Sequence, residues 1–209
     1  MKTNFLKLTL LALVLFTASC SNDDDEAVAP QPVVAETKTY SNLEATSGAL
    51  EYVKFSFSEN KIVTTDKWDV AFNGTTIIVN GGAKVISNNS SGLAPEPERT
   101  GVGAIVVVSG TFDSVLTIPE ANAFKQDAAN VYALPTGTGN GWYSYSMTTH
   151  TISPIAGKIL VVKTHDGKYA KLEILNYYKD APATPAFADP TSGYYKFKFA
   201  YKANDNTTF

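Results

Sequence analysis

Lys158-Ile-Leu-Val-Val-Lys-Thr-His-Asp-Gly-Lys-Tyr-Ala-Lys-Leu-Glu-Ile-Leu-Asn-Tyr-Tyr178 is the stretch that decides the fold. An apolar run, Ile159 to Val162, stops at His165-Asp166-Gly167, and a second alternating run begins at Lys168. Asp-Gly between two β-rich segments is a hairpin signal, because Gly adopts positive φ without a Cβ clash. Two antiparallel strands, Lys158–Thr164 and Lys168–Tyr178, are therefore predicted.

The same period of two extends in both directions. After the Ala- and Pro-rich loop Lys179–Ser192, residues Gly193–Lys202 place Tyr195, Phe197, Phe199 and Tyr201 on one face and Lys196, Lys198 and Lys202 on the other. Upstream, Trp142–Ser146 and His150–Ser153 read as strands around a Met147-Thr148-Thr149 turn. Val53, Phe55 and Phe57 share a face, as do Trp68, Val70 and Phe72. Thr75–Val79 ends in Asn80-Gly81-Gly82, and Ala104–Val108 is apolar enough to be covered on both faces. Asn88–Gly103 reads as a long mobile loop, and Pro119–Phe124 as a short helical turn. The fold class is all-β: an antiparallel β-sandwich or open barrel with one or two short helices.

The chain has 209 residues with 11 Tyr, 11 Phe and only 18% charged residues, a composition that suits sheet faces. Its N-terminus differs from the rest. Lys2 and Lys7 precede an apolar run from Leu8 to Phe16, then Thr17-Ala18-Ser19 and the single cysteine, Cys20. That order is an export signal with a small-residue cleavage site. A cysteine at the cleavage point reads as a bacterial lipoprotein, lipidated on Cys20. Asp23–Glu26 and Ala29-Pro30-Gln31-Pro32 then form a solvated, stiff tether. The expected layout is residues 1–19 signal peptide, 20–38 lipidated cysteine and tether, and 39–209 one β domain. The acidic run after Cys20 resembles a surface-export signal, which implies an outer-membrane, cell-surface location.

Several function classes fall away. A net charge of −3 with no basic stripe argues against nucleic acid. One cysteine, spent on lipid, leaves no intrachain disulfide, thiolate zinc site or cysteine nucleophile. Thr136–Gly141 has the glycines of a phosphate loop but no Gly-Lys-Ser/Thr. Two histidines, neither in a nucleophile motif, support no enzyme.

Met147, His150 and His165 are the candidate ligands, since thioether and imidazole are usual axial donors to haem iron. If Pro154–Gly157 reverses the chain, all three fall at one edge of the sheet. Tyr145, on the aromatic strand Trp142-Tyr143-Ser144-Tyr145, is a candidate platform for a planar ligand. Turn histidines are commonly just solvated, and aromatic strands commonly just core. The bland reading is a surface adhesion or interaction module on the same scaffold.

Lys67-Trp68-Asp69-Val70-Ala71-Phe72, Trp142–Tyr145, His150-Thr151-Ile152-Ser153-Pro154-Ile155, Lys163–Leu175 and Tyr194-Tyr195-Lys196-Phe197 together resemble the HmuY-like haem-binding lipoproteins. The resemblance implies a β-rich, lipid-anchored haemophore that captures haem and passes it to a TonB-dependent outer-membrane receptor. It implies two axial ligands from segments about thirty residues apart. His150, or Met147 beside it, falls at the later position. The earlier position falls near Val115–Pro119, which contains neither His nor Met.

Overall fold

Alternation of large apolar and polar side chains builds eleven strands in this computed structural model, which describes residues 35–85, 94–204 and 207–209. They are β1 (Thr37–Glu44), β2 (Val53–Ser56), β3 (Lys61–Ile62), β4 (Val70–Asn73), β5 (Thr76–Val79) and β6 (Ala104–Ser109). Then follow β7 (Tyr143–Ser146), β8 (Thr151–Pro154), β9 (Lys158–Lys163), β10 (Tyr169–Tyr178) and β11 (Ser192–Lys202). Ala121–Ala123 adds one 3-10 turn. The all-β expectation holds, as does the hairpin that suggested it: Tyr169 pairs with Lys163 and Leu172 with Leu160.

Pairing is antiparallel throughout the three sheets, in the orders β1-β11-β10-β9-β6, β3-β2-β4-β5 and β7-β8. The first two pack face to face, as in a sandwich. Phe55 and Phe72 from one meet Tyr195, Phe197 and Phe199 from the other, with Phe55–Phe197 centroids 5.2 Å apart and Phe72–Tyr195 4.8 Å. Edge and tilted ring contacts of this kind add about 0.5–1.5 kcal/mol each beyond area burial.

Both outer faces are also covered. Phe112, Val115 and Phe209 pack on Ile159, Val161 and Ala200, so the run Ile159–Val162 is buried on alternate sides. Ala94 and Tyr132 cover Ala71 and Ile78. Trp68 joins this second cluster rather than sharing a face with Val70 and Phe72, because β4 starts only at Val70 and the preceding chain is not pleated.

Three further expectations change. β1 begins at Thr37, inside the stretch read as tether, and binds β11 along its length despite its polar sequence. Ala94–Gly103 is not a mobile surface loop: the Arg99 guanidinium is buried, paired with Glu96 at 2.7 Å and Asp127 at 3.0 Å, and lies over Trp68. β9 does not run back towards Met147 and His150, for reasons given below. The signal peptide, Cys20, the acidic run and the Asn88–Leu93 part of that loop lie outside the described residues. No helix among the described residues is long and apolar enough to cross a membrane.

Candidate functional site

A two-stranded ribbon is marginal alone, so the β7–β8 hairpin depends on its anchors. Trp142, just before β7, is buried and donates its indole N–H to the Thr75 carbonyl at 2.9 Å. On β8, the Ile152 N–H donates to the Tyr178 hydroxyl at 2.7 Å. Burial raises the pKa of that phenol, so it stays neutral. The base of the hairpin is thus fixed to the core, and its Met147–His150 turn projects.

The turn is exposed, and two large apolar side chains stand at it. Met147 is 75% exposed, and Phe187, from the β10–β11 loop, is 68% exposed. His150 takes a left-handed backbone (φ 53°), unusual for a side chain with a Cβ. Its Nδ1 is 2.6 Å from the Tyr145 hydroxyl, and Phe187 packs edge-on against its ring with centroids 5.1 Å apart. The Ala188 N–H donates to the Thr149 carbonyl at 3.0 Å, joining loop to turn. Tyr145, Met147 and His150 therefore share one small region. Engaging Nδ1 leaves Nε2 as the nitrogen able to meet a metal, and a hydroxyl partner fixes the ring's orientation.

His165 stands apart. Tyr178, bonded to β8, ends β10, whereas His165 lies before its start. Ten residues at about 3.3 Å each span about 30 Å. β9 runs away from the β7–β8 turn because its partner is β10, whose far end holds the hairpin. The three candidate ligands do not meet at one edge.

What His165 does is structural. Asp69, 1% exposed, accepts the His165 backbone N–H at 3.0 Å and lies 2.7 Å from its Nδ1, while its other oxygen accepts the Phe57 N–H at 2.7 Å. Burial pushes the Asp69 carboxyl up, and the His165 and Phe57 hydrogen bonds oppose that. Asp69, His165 and Asp166 are close enough to be considered for a metal. However, the Asp69 oxygens already hold three donors, and Asp166 accepts the Thr164 hydroxyl. These groups clip the two sheets together.

Val115–Pro119 lies on the outer face of the five-stranded sheet. There the Lys171 ammonium donates to the Phe112 and Val115 carbonyls at 2.8 and 2.9 Å. A cavity of about 420 Å³ is lined by Thr117, Ile118, Pro119, Tyr169 and Thr207. Cavities of about 270 and 290 Å³ lie beside Phe124 and Lys163 and beside Tyr52 and Pro95. None of these three is lined by Tyr145, Met147, His150 or His165.

Against known families, the profile described as HmuY protein matches residues 49–199. The chain belongs to the HmuY family. No curated protein matches it. Among solved structures it is similar to the apo HmuY analog of Tannerella forsythia, at 14% identity and TM-score 0.53, covering 82% of this chain and 100% of that one. It is also similar to a lipoprotein of Bacteroides fragilis, at 12% identity and TM-score 0.51, with 81% and 91% covered. A Bacteroides vulgatus protein described as HmuY-like and heme binding gives 15% identity and TM-score 0.49, with 83% and 98% covered. At these identities the Tannerella forsythia and Bacteroides fragilis structures establish the fold alone.

The turn carries donor types suited to haem iron on one side only. Met147 and His150 lie on the same four-residue turn, so they cannot bracket a plate as wide as a macrocycle. Either can serve as one axial donor, and Val115–Pro119 supplies no second. Phe187 was missed from the sequence because it sits alone in an Ala- and Pro-rich loop, without periodicity. Asp69 was legible only as a polar position in an apolar strand.

Proposed function

We propose that this HmuY-family chain is a lipid-anchored surface protein that binds haem or a related porphyrin through a single axial side chain, His150 with Met147 as the alternative. The observation that carries the reading is the exposed His150 imidazole, oriented through Nδ1 by Tyr145, with Phe187 edge-on against it and exposed Met147 on the same turn. Burying the apolar faces of a porphyrin supplies most of the affinity, and ligation supplies the choice of metal. Cys20 carries the lipid that holds the protein at the outer membrane. Captured haem passes to a TonB-dependent receptor. The role is binding and delivery, without catalysis.

Titrating the soluble chain from Ser21 onward with ferric haem tests this. A Soret shift at micromolar haem is expected, and His150→Ala or Met147→Ala changes it. No shift refutes haem binding. A spectrum unchanged in both variants refutes the ligand assignment.

A second reading has its own support. The candidate ligands line none of the three cavities, and His150 is exposed. A surface interaction module would use the same Met147–Phe187 patch against a protein or glycan. It is favoured if haem fails to bind.

A further inference from the structure

Six non-glycine residues among those described have clearly positive φ: Asn42, Asn60, His150, Asp180, Ala181 and Ala188. Four of them fall on two segments that touch, the Met147–His150 turn and the loop from Lys179 to Thr191. Alanine gains nothing from the left-handed region. Ala181 (φ 49°) and Ala188 (φ 46°) hold it only because their surroundings impose it. The loop is nonetheless well tied. Lys179 N–H donates to the Thr191 carbonyl and closes its base. The Asp189 carboxylate accepts from the Ala186 and Thr191 N–H groups and the Thr191 hydroxyl. This order presents Phe187 outward, 68% exposed, against the one imidazole of the turn. A phenyl ring held at that exposure by a constrained loop buries little of its own surface. Its edge contact with His150 and the neighbouring Ala188 N–H bond to the Thr149 carbonyl are what join it to the turn.

Resting on the haem-binding reading above, we infer that Phe187 takes the place of the second axial ligand. The planar ligand enters between His150 and Phe187, with the metal on the imidazole side and the phenyl ring covering the opposite face. This accounts together for the unpaired turn ligand, the absence of His or Met at Val115–Pro119, and an exposed aromatic ring packed on His150. The site then selects for a flat apolar macrocycle whose metal needs one donor. The strained alanines, at either side of Phe187, are where the loop can open.

The test uses the soluble chain with ferric haem and with zinc protoporphyrin, whose metal takes a single axial donor. The ferric complex is expected to be five-coordinate and high-spin, and the zinc porphyrin to bind comparably. Phe187→Ala weakens both about tenfold without changing the coordination, and Phe187→Trp restores affinity. In the free chain, nuclear Overhauser contacts join the Phe187 and His150 rings, and ligand removes them. A six-coordinate low-spin spectrum, or unchanged affinity in Phe187→Ala, overturns this inference while leaving haem binding intact. Absence of any porphyrin binding overturns both.

Discussion

Replacing Asp69 by alanine separates a structural staple from a candidate ligand. The carboxylate is 1% exposed and satisfies three donors: Phe57 N–H, His165 N–H and His165 Nδ1. Its loss strands two backbone N–H groups, one on buried Phe57 and one at the head of the β9–β10 turn. A buried donor left unpaired costs about 1–3 kcal/mol. Relief of the carboxylate's own desolvation offsets part of that. The net loss is about 3 kcal/mol, against a total stability of about 5–15 kcal/mol. For a domain of this size each kcal/mol moves Tm by about 2–4 °C, so Asp69→Ala lowers it by about 6–12 °C.

His165→Ala is the control. It removes the imidazole but leaves the His165 N–H bound to Asp69, so the loss is about 1 kcal/mol, or about 2–4 °C. Thermal unfolding followed by circular dichroism measures both. If His165→Ala costs as much as Asp69→Ala, or if Asp69→Ala costs under about 3 °C, the clip does not hold the sheets and the reasoning fails. If His165→Ala also abolishes haem binding without loss of stability, its placement away from the ligand site is wrong.

Alkaline unfolding should be steep. Burial raises the pKa of Tyr52, Tyr132, Tyr177, Tyr178 and Tyr195. A group with a raised folded pKa contributes stability that is intact below its unfolded value, near 10, and lost above it, at about 1.4 kcal/mol per pH unit for each group. Ionisation of these five phenols should therefore coincide with loss of near-UV dichroism, and their ionisation while the near-UV dichroism is intact contradicts this. Lys171→Ala strands the Phe112 and Val115 carbonyls. A loss of about 2 kcal/mol is expected, with faster amide exchange confined to the Phe112–Ile118 cover. Gly101→Ala puts a Cβ 2.6 Å from the His165 carbonyl oxygen. Denaturant titration should register a loss of about 2 kcal/mol. Tyr145→Phe removes the hydroxyl at His150 Nδ1, and nitrogen-15 shifts of the free chain should report a changed tautomer balance with stability nearly unaltered.

Where one face of a strand is buried, the sequence was readable. Tyr195, Phe197 and Phe199 alternate with Lys196 and Lys198, and Asp-Gly fixed the β9–β10 register. Reading failed where stabilisation comes from partners distant in sequence. β1 carries Thr37-Lys38-Thr39 and gains its place from β11, over 150 residues later. Arg99 looked like part of a polar loop because its partner Asp127 is 28 residues away. At the site, local spacing placed Met147 and His150 on one turn at the end of the aromatic strand that carries Tyr145. It could not locate His165, whose position depends on the direction in which β9 leaves the hairpin.

That direction also shapes how the site can work. The polar clip at Asp69 and His165 lies at one end of β10, and the Tyr178 anchor of the β7–β8 hairpin at the other. The clip consumes its imidazole in holding two sheets together. At the far end the anchors stop at Trp142 and Ile152, and the side chains beyond them, Met147, His150 and Phe187, are left uncovered. A rigid ribbon base with an exposed apolar tip keeps an imidazole in a fixed place at no cost to the core, since substitutions at the tip bury nothing. On the proposed reading, binding energy and folding energy are thereby held by different residues. It follows that ligand variants at Met147, His150 and Phe187 should fold as the parent does, so any change in their spectra reports the site alone.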